Sequence, residues 1–436
     1  MNPLAAELNQ VIEQHAPAVL GMLSTLGREL YFPKGILTQT AEAKQKAYRF
    51  NATIGEAREA GHAMSLSAIT EHFVDLDADE VLPYAPSAGR AELRARWREE
   101  IRKKNPSLAE VPISLPVVTS GITHGLSTVA DMFVEAGDVV LLPDQVWGNY
   151  NLVFGVKRGA RLVRYPLLSE RGGLDVAGFA RVLEENSAAG KVVVLFNFPN
   201  NPTGYAPTAA EAQALQETLV SVAERGCKLV AVCDDAYFGL FYDPEVMRES
   251  LFGLLAAAHP RLLAVKLDGA SKEDFAWGLR VAFITYGIAG GAGMYEALEK
   301  KTAGCIRGTI SNSCNLSQYL VLKALEHPEY EEQKAAGFAA LTRRAAKARA
   351  ALADEKYAAV WTPYPFNSGY FLCLRLHDLD AEAYRVRLLE RYGVGVISTS
   401  DTDIRVAISS VDEEDIAELF SVMYTCAVEM AAEAQA

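Results

Sequence analysis

The chain has 436 residues; half of them are hydrophobic, 22% are charged, and 42 basic against 55 acidic side chains give a net charge of −13. This composition is typical of a globular protein and excludes a disordered tail protein, a collagen and a coiled coil. It also argues against a general nucleic-acid binder, which needs basic charge to displace the counterions of phosphates. A small anionic ligand is compatible with it, because one or two local arginines can outweigh a distant net charge.

Length and cysteine usage indicate a multidomain protein of a reducing compartment. At about 150 residues per domain, the length predicts two or three domains. The six cysteines show no Cys-x-x-Cys spacing, and the first twenty residues lack the basic start and unbroken apolar core of a signal peptide. No run of about 18 apolar residues occurs, so no membrane span is expected. We therefore expect a cytoplasmic protein, and we assign no metal site.

Short apolar runs alternate with helical patterns through the middle of the chain. Strands are predicted at residues 116–119, 138–142, 161–165, 191–198, 228–233, 262–267 and 280–286. Helices are predicted between them, notably at 124–134 and 209–223. This alternation implies a mostly parallel sheet covered by helices on both faces. The last strand follows its predecessor after a short connection, which favours an antiparallel direction for it.

The two ends of the chain follow a different pattern. Beyond the alternating region, a helix-rich stretch, two strands and a terminal helix are predicted at residues 316–352, 369–376, 403–408 and 413–432. The predicted fold class is α/β, with a large domain on a mixed, mostly parallel sheet of the seven-stranded type and a smaller α+β domain from both chain ends. The expected parts are an N-terminal arm with part of the small domain, the large domain, and the small C-terminal domain, at 1–65, 66–315 and 316–436.

Four short segments at strand ends contain chemically useful side chains, at residues 119–124, 200–204, 234–237 and 271–280. In the first, N–H groups at a helix start favour a phosphate. In the second, Pro202 and Gly204 favour a turn at the edge where open α/β sheets bind ligands. In the third, Asp234 can cap a helix, bind a cation or hold a proton on a ring nitrogen. In the fourth, a desolvated Lys272 can form a Schiff base. Each segment also has an ordinary structural explanation, such as a helix cap, a turn or a solvated side chain.

In this order and on consecutive sheet elements, the four segments resemble those of the pyridoxal-phosphate-dependent aminotransferases of fold type I, class I/II, and of the aspartate and aromatic enzymes in particular. The shared features are NPTG at 201–204, Asp-x-Ala-Tyr at 234–237, and a lysine followed eight residues later by an arginine. The resemblance extends from Asn51 to about Ser409. It implies a transaminase with pyridoxal 5′-phosphate as cofactor, which acts as a homodimer with shared active sites. Amino acids and 2-oxo acids would then react in a ping-pong cycle.

The resemblance also implies roles around the cofactor's ring. Lys272 resembles the Schiff-base lysine, whose amine moves a proton during the reaction. Asp234 resembles the carboxylate that pairs with the protonated ring nitrogen, which makes the ring an electron sink. Asn201 and Tyr237 resemble the residues that hydrogen-bond the 3′ oxygen, and Trp147 resembles the aromatic side chain that stacks on the ring. Lys272, Asp234 and Tyr237 are the predicted catalytic residues.

At the phosphate, the resemblance implies contacts from two chains. The N–H groups of Gly121, Ile122 and Thr123 would bind it, and Arg280 would add a charge-assisted pair. Tyr84 resembles the tyrosine that reaches across from the second subunit.

Three residues resemble the family's substrate-binding positions, where Asn201 is also expected. Arg405 resembles the arginine that binds the α-carboxylate, and Gly55 resembles the small residue that leaves room for it. Arg307, four residues before the Ser-Asn pair at 311–312, resembles the arginine that crosses the dimer interface to bind a distal carboxylate. This suits aspartate or glutamate, but aromatic aminotransferases also keep the arginine, so both substrate classes stay open.

Three positions depart from the pattern of the aspartate enzymes. Gly269 stands where a serine touches the phosphate, Tyr150 replaces a histidine, and Ser313-Cys314 stands where Pro-Pro is usual. One phosphate hydrogen bond of those enzymes is therefore expected to be missing, and the support of Asp234 is expected to differ.

Other functions fit part of the same pattern. A β-lyase or a decarboxylase on this fold uses the same carbanion, and the sequence does not separate them from a transaminase. A regulator-like ligand-binding protein of this fold usually has an N-terminal winged-helix domain, for which the residues before Asn51 are too few. A nicotinamide dehydrogenase has no support, because no GxGxxG follows a strand. Neither nucleic acid nor membrane is an expected partner.

Overall fold

The computed structural model of the chain describes residues 1–15, 17–31, 35–74, 76–170 and 172–435. The helices that precede the main sheet are α1 (Pro3–His15), α2 (Pro17–Met22), α3 (Thr25–Glu29), α4 (Ile36–Lys46), α5 (Ser67–Thr70), α6 (Ala78–Val81) and α7 (Ala91–Lys104). Three short strands in the same region are β1 (Phe50–Asn51), β2 (Arg58–Glu59) and β3 (His62–Ala63).

A seven-stranded sheet forms the centre of the molecule. Its strands are β4 (Val117–Ser120), β5 (Val139–Pro143), β6 (Arg161–Tyr165), β7 (Lys191–Asn197), β8 (Lys228–Asp234), β9 (Leu262–Gly269) and β10 (Val281–Gly287). Their order across the sheet is β4-β10-β9-β8-β7-β5-β6. β10 runs antiparallel to both neighbours, and the other pairs are parallel. The predicted mixed sheet is confirmed, and each of its predicted strands lies within two residues of the observed one.

The helices of this region are α8 (Ile122–Phe133), α9 (Val176–Ser187), α10 (Ala209–Glu224), α11 (Leu251–Leu255) and α12 (Ala270–Glu273). Strands β7 and β8 are buried along nearly their whole length, as expected for apolar strands covered on both faces. Asn197 at the end of β7 lies opposite Asp234 of β8, which lies opposite Leu267 of β9. The carboxyl ends of three strands therefore meet at one edge, the place where open α/β sheets bind ligands.

The last part of the chain forms a second, smaller sheet. Its helices are α13 (Tyr295–Thr309), α14 (Asn315–Glu326), α15 (Tyr330–Leu352), α16 (Ala381–Tyr392) and α17 (Ile416–Gln435). Its strands are β11 (Trp361–Pro363), β12 (Phe371–Leu376), β13 (Val394–Gly395), β14 (Ile397–Ser398) and β15 (Asp403–Ala407). β11, β12, β15 and β14 form an antiparallel sheet. β1 pairs with β13, so the N-terminal segment joins this part of the molecule.

The structure gives the helix boundaries in two of the predicted helical regions. The region 316–352 contains two helices, α14 and α15, because a helix normally ends before the residue that precedes a proline, here Pro328. The terminal helix begins at Ile416, after a separate 3₁₀ turn at Glu413–Asp415.

Buried apolar side chains form two clusters. The larger cluster surrounds the seven-stranded sheet, and the smaller one lies between the four-stranded sheet, α16 and α17. The domain bounds of 1–65, 66–315 and 316–436 stay a prediction. Among the described residues, no helix combines the length and apolarity needed to cross a membrane. The six cysteines are all free thiols.

Candidate active site

A cavity opens at the edge where β7, β8 and β9 end, facing β15 of the smaller sheet. Ten of the predicted site residues line it: Gly55, Ile122, Thr123, Trp147, Asn201, Asp234, Tyr237, Lys272, Arg280 and Arg405. Gly121 borders it, since a Cβ there would lie 2.2 Å from Nη2 of Arg280. The structure therefore brings together residues that are up to 350 positions apart in the chain.

Two predicted site residues, Tyr84 and Arg307, lie outside this cavity. Tyr84 is 91% exposed. Arg307 is exposed on α13, where its Nη1 donates to Oγ of Ser311 at 2.5 Å. Their predicted contributions come from a second subunit, and that role stays a prediction.

Lys272 lies on α12, which begins directly after β9. Its Nζ is 5.0 Å from the centre of the Tyr237 ring, and its carbonyl oxygen accepts a hydrogen bond from the hydroxyl of Tyr370 at 2.9 Å. Burial lowers the pKa of Lys272 to about 8, an effect that the carboxylate of Asp234 opposes and the guanidinium of Arg280 reinforces. A substantial fraction of this amine is therefore neutral and nucleophilic near pH 8.

Asp234 ends β8 and is 2% exposed. It accepts hydrogen bonds from the hydroxyl of Tyr150 at 2.5 Å and from the backbone N–H of Ala236 at 3.2 Å. Burial raises the pKa of Asp234, while the Tyr150 hydrogen bond and the charge of Lys272 oppose the rise. Tyr150 thus supports this carboxylate from the position where the aspartate enzymes have a histidine. The sequence analysis predicted that the support of Asp234 would differ in this way.

Arg405 on β15 is buried without a carboxylate partner among the described residues. Its Nη1 donates to Oδ1 of Asn201 at 3.0 Å, and its Nη2 donates to the carbonyl of Thr53 at 2.9 Å. Its Nε has no partner, and its guanidinium lies 4.2 Å from the centre of the Phe371 ring. Burial lowers the pKa of Arg405 to about 10. A buried cation with spare donors is suited to an anionic ligand.

A second group of hydrogen-bond donors lies at the start of α8. This helix begins after Gly121, and among the described residues no side chain caps it. The guanidinium of Arg280 packs against Gly121, and Arg280 itself has a left-handed backbone with φ of +56°. Ser271 and Trp277 also line the cavity, and Oγ of the first and Nε1 of the second are buried without a hydrogen-bond partner. Such unpaired donors indicate a group that accepts their hydrogen bonds when it is bound.

Gly269 has a steric reason to differ from the serine of the aspartate enzymes. A Cβ at this position would lie 2.6 Å from the carbonyl oxygen of Val281 and from Cα of Ala282. A serine here would force the neighbouring strand to shift, and a hydroxyl is available two residues later, at Ser271.

The sequence analysis missed several residues of the cavity. Ser271 was noted only as the neighbour of Lys272, and the motifs gave no reason to choose Asn197, Trp277 or Phe371. The unpaired hydroxyl of Ser271 becomes visible only when the surrounding strands are in place. Phe371 could have been suspected, because it lies in the strand predicted at 369–376, close to its start.

Comparison with known proteins places the chain in a family. Residues 50–423 match the family model described as aminotransferase class I and II. The chain is 26% identical over 302 residues to a probable aspartate/prephenate aminotransferase of Aquifex aeolicus, which covers 69% of this chain and 71% of the relative. It is 27% identical over 321 residues to an arginine–pyruvate transaminase of Pseudomonas aeruginosa, which covers 72% and 73%.

Solved structures share the fold. An aminotransferase from Anaerococcus prevotii superposes with a TM-score of 0.82 at 22% identity, over 93% of this chain and 98% of that one. A kynurenine aminotransferase of Pyrococcus horikoshii gives a TM-score of 0.77 at 17% identity, over 94% and 98%. From the family match, its relatives and the cavity described above, this chain belongs to the class I and II aminotransferases and is a transaminase.

Proposed function

We propose that this transaminase uses pyridoxal 5′-phosphate attached through Lys272, and that its amino donors are acidic or aromatic L-amino acids. The observation that carries the proposal is the placement of Lys272. Its amine is desolvated, has a pKa lowered to about 8 by burial, and shares the cavity with the carboxylate of Asp234 and the cation of Arg280. A nucleophilic amine between a carboxylate and an anion site fits the two ends of this cofactor.

The residues of the cavity suit the phosphate and the ring in different ways. The free N–H groups at the start of α8, with Arg280 and the unpaired hydroxyl of Ser271, would hold the phosphate. Asp234, held by Tyr150, would keep a proton on the ring nitrogen. The half-buried Trp147 would cover one face of the ring. When bound, the cofactor supplies an electron sink for the carbanion formed at the substrate's Cα.

Lys272 would do the proton work of the reaction. With a pKa near 8, the amine can accept the Cα proton and return it without a large energetic penalty on either side. Tyr237 and Asn201 would hydrogen-bond the cofactor's 3′ oxygen. Burial raises the pKa of Tyr237, so its hydroxyl stays protonated and acts as a donor at neutral pH.

The substrate's α-carboxylate would bind to Arg405, whose spare Nε and unbalanced charge favour an anion. Gly55 would leave room for it, because a Cβ there would already lie 3.3 Å from the ring of Phe371. Ile36 and Ile54 also line the cavity, and their apolar side chains suit an aromatic substrate. The predicted arrival of Arg307 from a second subunit suits a distal carboxylate. Similarity to a probable aspartate/prephenate aminotransferase supports an acidic donor.

A homodimer is supported by exposed apolar side chains around Tyr84 and Arg307, the two predicted site residues that lie outside the cavity. Leu82 is 79% exposed, Tyr84 is 91% exposed, and Ile310 is 40% exposed. The segments they belong to are in contact, since Oγ of Ser87 donates to the carbonyl of Ser311 at 3.1 Å. An exposed apolar patch of this kind commonly marks an interface. The six free thiols favour a cytoplasmic location.

The cofactor and the reaction are tested together with purified protein. Borohydride reduction should fix the cofactor on the peptide that contains Lys272. Lys272→Ala should lose the adduct, whereas the control variant Lys266→Met should keep it. In single-turnover experiments the protein is mixed in turn with aspartate, glutamate, phenylalanine, tyrosine and arginine. The acidic or aromatic donors should bleach the visible absorbance and release the corresponding 2-oxo acid. Release of carbon dioxide from aspartate would instead identify a decarboxylase, and release of a thiol together with pyruvate and ammonia from cysteine conjugates would identify a β-lyase.

The shared site is tested by mixing two inactive variants. Lys272→Ala and Arg307→Ala dimers should both be inactive with dicarboxylates. A mixed dimer has one site with both native residues, so random exchange of subunits should restore about a quarter of the wild-type activity. Recovery of no activity would place Arg307 outside the neighbouring site.

A further inference from the structure

Four charged side chains lie behind the turn that follows Lys272, outside the active-site cavity; three of them are buried and Lys104 is partly exposed. Oε1 of Glu273 is 2.8 Å from Nζ of Lys104 and 2.5 Å from Nζ of Lys334. Oδ1 of Asp274 is 3.5 Å from the same Nζ of Lys334 and accepts a hydrogen bond from the hydroxyl of Tyr330 at 2.6 Å. The two carboxylate side chains are 4% and 3% exposed, and that of Lys334 is 10% exposed. We call these five residues the Glu273 cluster.

The cluster is tied to Lys272 by the covalent chain. Lys272 and Glu273 share the single turn of α12, and Asp274 closes that turn by donating its N–H to the carbonyl of Ala270. Phe275 then adopts a left-handed backbone with φ of +53°. Its ring fills the space beside Gly337 of α15, where a Cβ would lie 2.5 Å away. The direction of the Lys272 side chain therefore depends on how this turn is held.

Helix α15 holds the turn along one of its faces. Tyr330, Lys334 and Gly337 follow each other at spacings of four and three residues, which places them on the same side of the helix. The same helix continues into the smaller hydrophobic cluster, where Nη1 of Arg344 donates to the carbonyl of Ser409 at 2.6 Å. Ser409 closely follows β15, which contains Arg405. One rigid helix thus fixes both the lysine turn and the strand with the substrate arginine.

The Glu273 cluster is electrically balanced, with two carboxylates and two ammonium groups. Burial alone would raise the pKa of Glu273, yet the charges of Lys104 and Lys334 more than offset this and hold it below its ordinary value. The charges that change the pKa of Lys272 are those of Asp234 and Arg280, which do not belong to the cluster. The cluster therefore has little electrostatic effect on the Lys272 amine. What it can still affect is the position of that amine.

Net stability is a poor explanation for such a cluster. Removing charges from water costs several kcal/mol per ion, so buried ion pairs often contribute no more than an apolar replacement of the same shape. What they do supply is a fixed geometry, because each carboxylate must keep its partners. Two other ion pairs of these helices lie nearby: Arg96 pairs with the buried Glu100, and Lys103 pairs with Glu331 on the surface.

We propose that Glu273 and Asp274 are positioning residues, which use Lys104, Lys334 and Tyr330 to hold the turn after Lys272 so that its amine points into the cavity. The proposal rests on the role of Lys272 proposed above. Transfer of a proton by a held group depends steeply on its position, and a displacement of about 1 Å can cost a hundredfold in rate. Loss of the cluster should therefore reduce kcat and leave the binding of substrate to Arg405 nearly intact.

The test compares four variants. Lys334→Met removes the shared cation, Lys334→Arg keeps it, and Tyr330→Phe removes only the hydroxyl that donates to Asp274. Lys103→Met is the matched control, because Lys103 pairs with Glu331 between the same two helices on the surface, where both side chains are 56% exposed. Two quantities are measured: the split between kcat and KM, and the pH midpoint for chemical labelling of the Lys272 amine in cofactor-free protein, read by mass spectrometry.

For Lys334→Met we expect kcat to fall about tenfold or more with KM changed less than about twofold. The labelling midpoint should rise from about 8 toward the ordinary value of a lysine, because a displaced amine is less desolvated. Tyr330→Phe should change both quantities in the same direction by a smaller amount. Lys334→Arg should restore most of the activity, and Lys103→Met should match the wild type.

The proposal is overturned if folded Lys334→Met and Tyr330→Phe keep the wild-type kcat and labelling midpoint, or if Lys103→Met lowers them equally. Because Lys334→Met leaves two carboxylates with one cation and is the variant most prone to misfold, Tyr330→Phe decides the question by itself. Failure of the proposed function has a separate signature. The wild type would then show no cofactor on Lys272, while the labelling midpoints of the variants would still differ.

Discussion

Replacing Lys272 by methionine should make the cofactor-free protein more stable while it abolishes the reaction. The side chain keeps its length and apolar contacts, but the buried ammonium group is lost. In the native cavity burial lowers the pKa of Lys272 from 10.5 to about 8. The unfolded chain therefore binds a proton at this site more tightly than the folded chain does, and protonation favours unfolding.

The size and pH dependence of the effect follow from the same two values. The difference between 10.5 and about 8 corresponds to about 3 kcal/mol that the wild type loses below pH 8. Above pH 10.5 the amine is neutral in both states and the penalty vanishes. At pH 7, Lys272→Met should thus be more stable by about 3 kcal/mol, and at pH 9 this advantage should shrink by about 1.4 kcal/mol.

Urea unfolding of cofactor-free protein at one protein concentration, at pH 7 and pH 9, measures both quantities. Lys44→Met is the control, because Lys44 is exposed on α4 and a surface substitution should change stability by less than about 0.5 kcal/mol. Equal stability of Lys272→Met and wild type at pH 7 would refute the reasoning. An advantage that stays the same at pH 9 would also refute it, since repacking alone does not depend on pH.

Three further substitutions test the surroundings of the lysine. Tyr150→Phe removes the donor to Asp234 and should raise the pKa of that carboxyl further and weaken cofactor binding about tenfold, measured by equilibrium dialysis. Gly269→Ser places an atom 2.6 Å from the carbonyl of Val281 and should cost about 1–3 kcal/mol of stability in urea unfolding, without tighter cofactor binding. Ser271→Ala removes an unpaired buried hydroxyl, so the cofactor-free variant should be at least as stable as the wild type. It should bind inorganic phosphate up to about tenfold more weakly, and calorimetry measures both quantities.

The sheet could be predicted closely because its strands are apolar on both faces. A run such as residues 191–198 has no exposed side to interrupt it, and the structure buries nearly all of β7. The helix–turn signals were equally local, as in the capping box of Thr208 and Glu211 at the start of α10. Short pairings such as that of β1 with β13 have two residues per strand and join distant parts of the chain. No local pattern predicts them.

The candidate site was predictable where a residue type and a strand end coincide. Asp234, Asn201 and Lys272 stand at such ends, and the cavity brings them together. The helical spacing of Tyr330 and Lys334 indicated a helix but gave no sign that it would meet the residues after Lys272. A buried ion pair joins positions that are about sixty residues apart, and only the packing of α15 against α12 creates it.

The charge of the cavity is opposite in sign to that of the whole chain. Lys272, Arg280 and Arg405 line it together, in a protein with a net charge of −13. Neither arginine has a carboxylate partner among the described residues, and the buried Arg405 therefore carries a desolvation cost in the free protein. In the proposed function, a carboxylate bound beside Arg405 would offset this cost, and a phosphate beside the exposed Arg280 would form a second charge pair. The net charge describes the whole chain, whereas the proposed affinity for anions follows from the local cations that line this cavity.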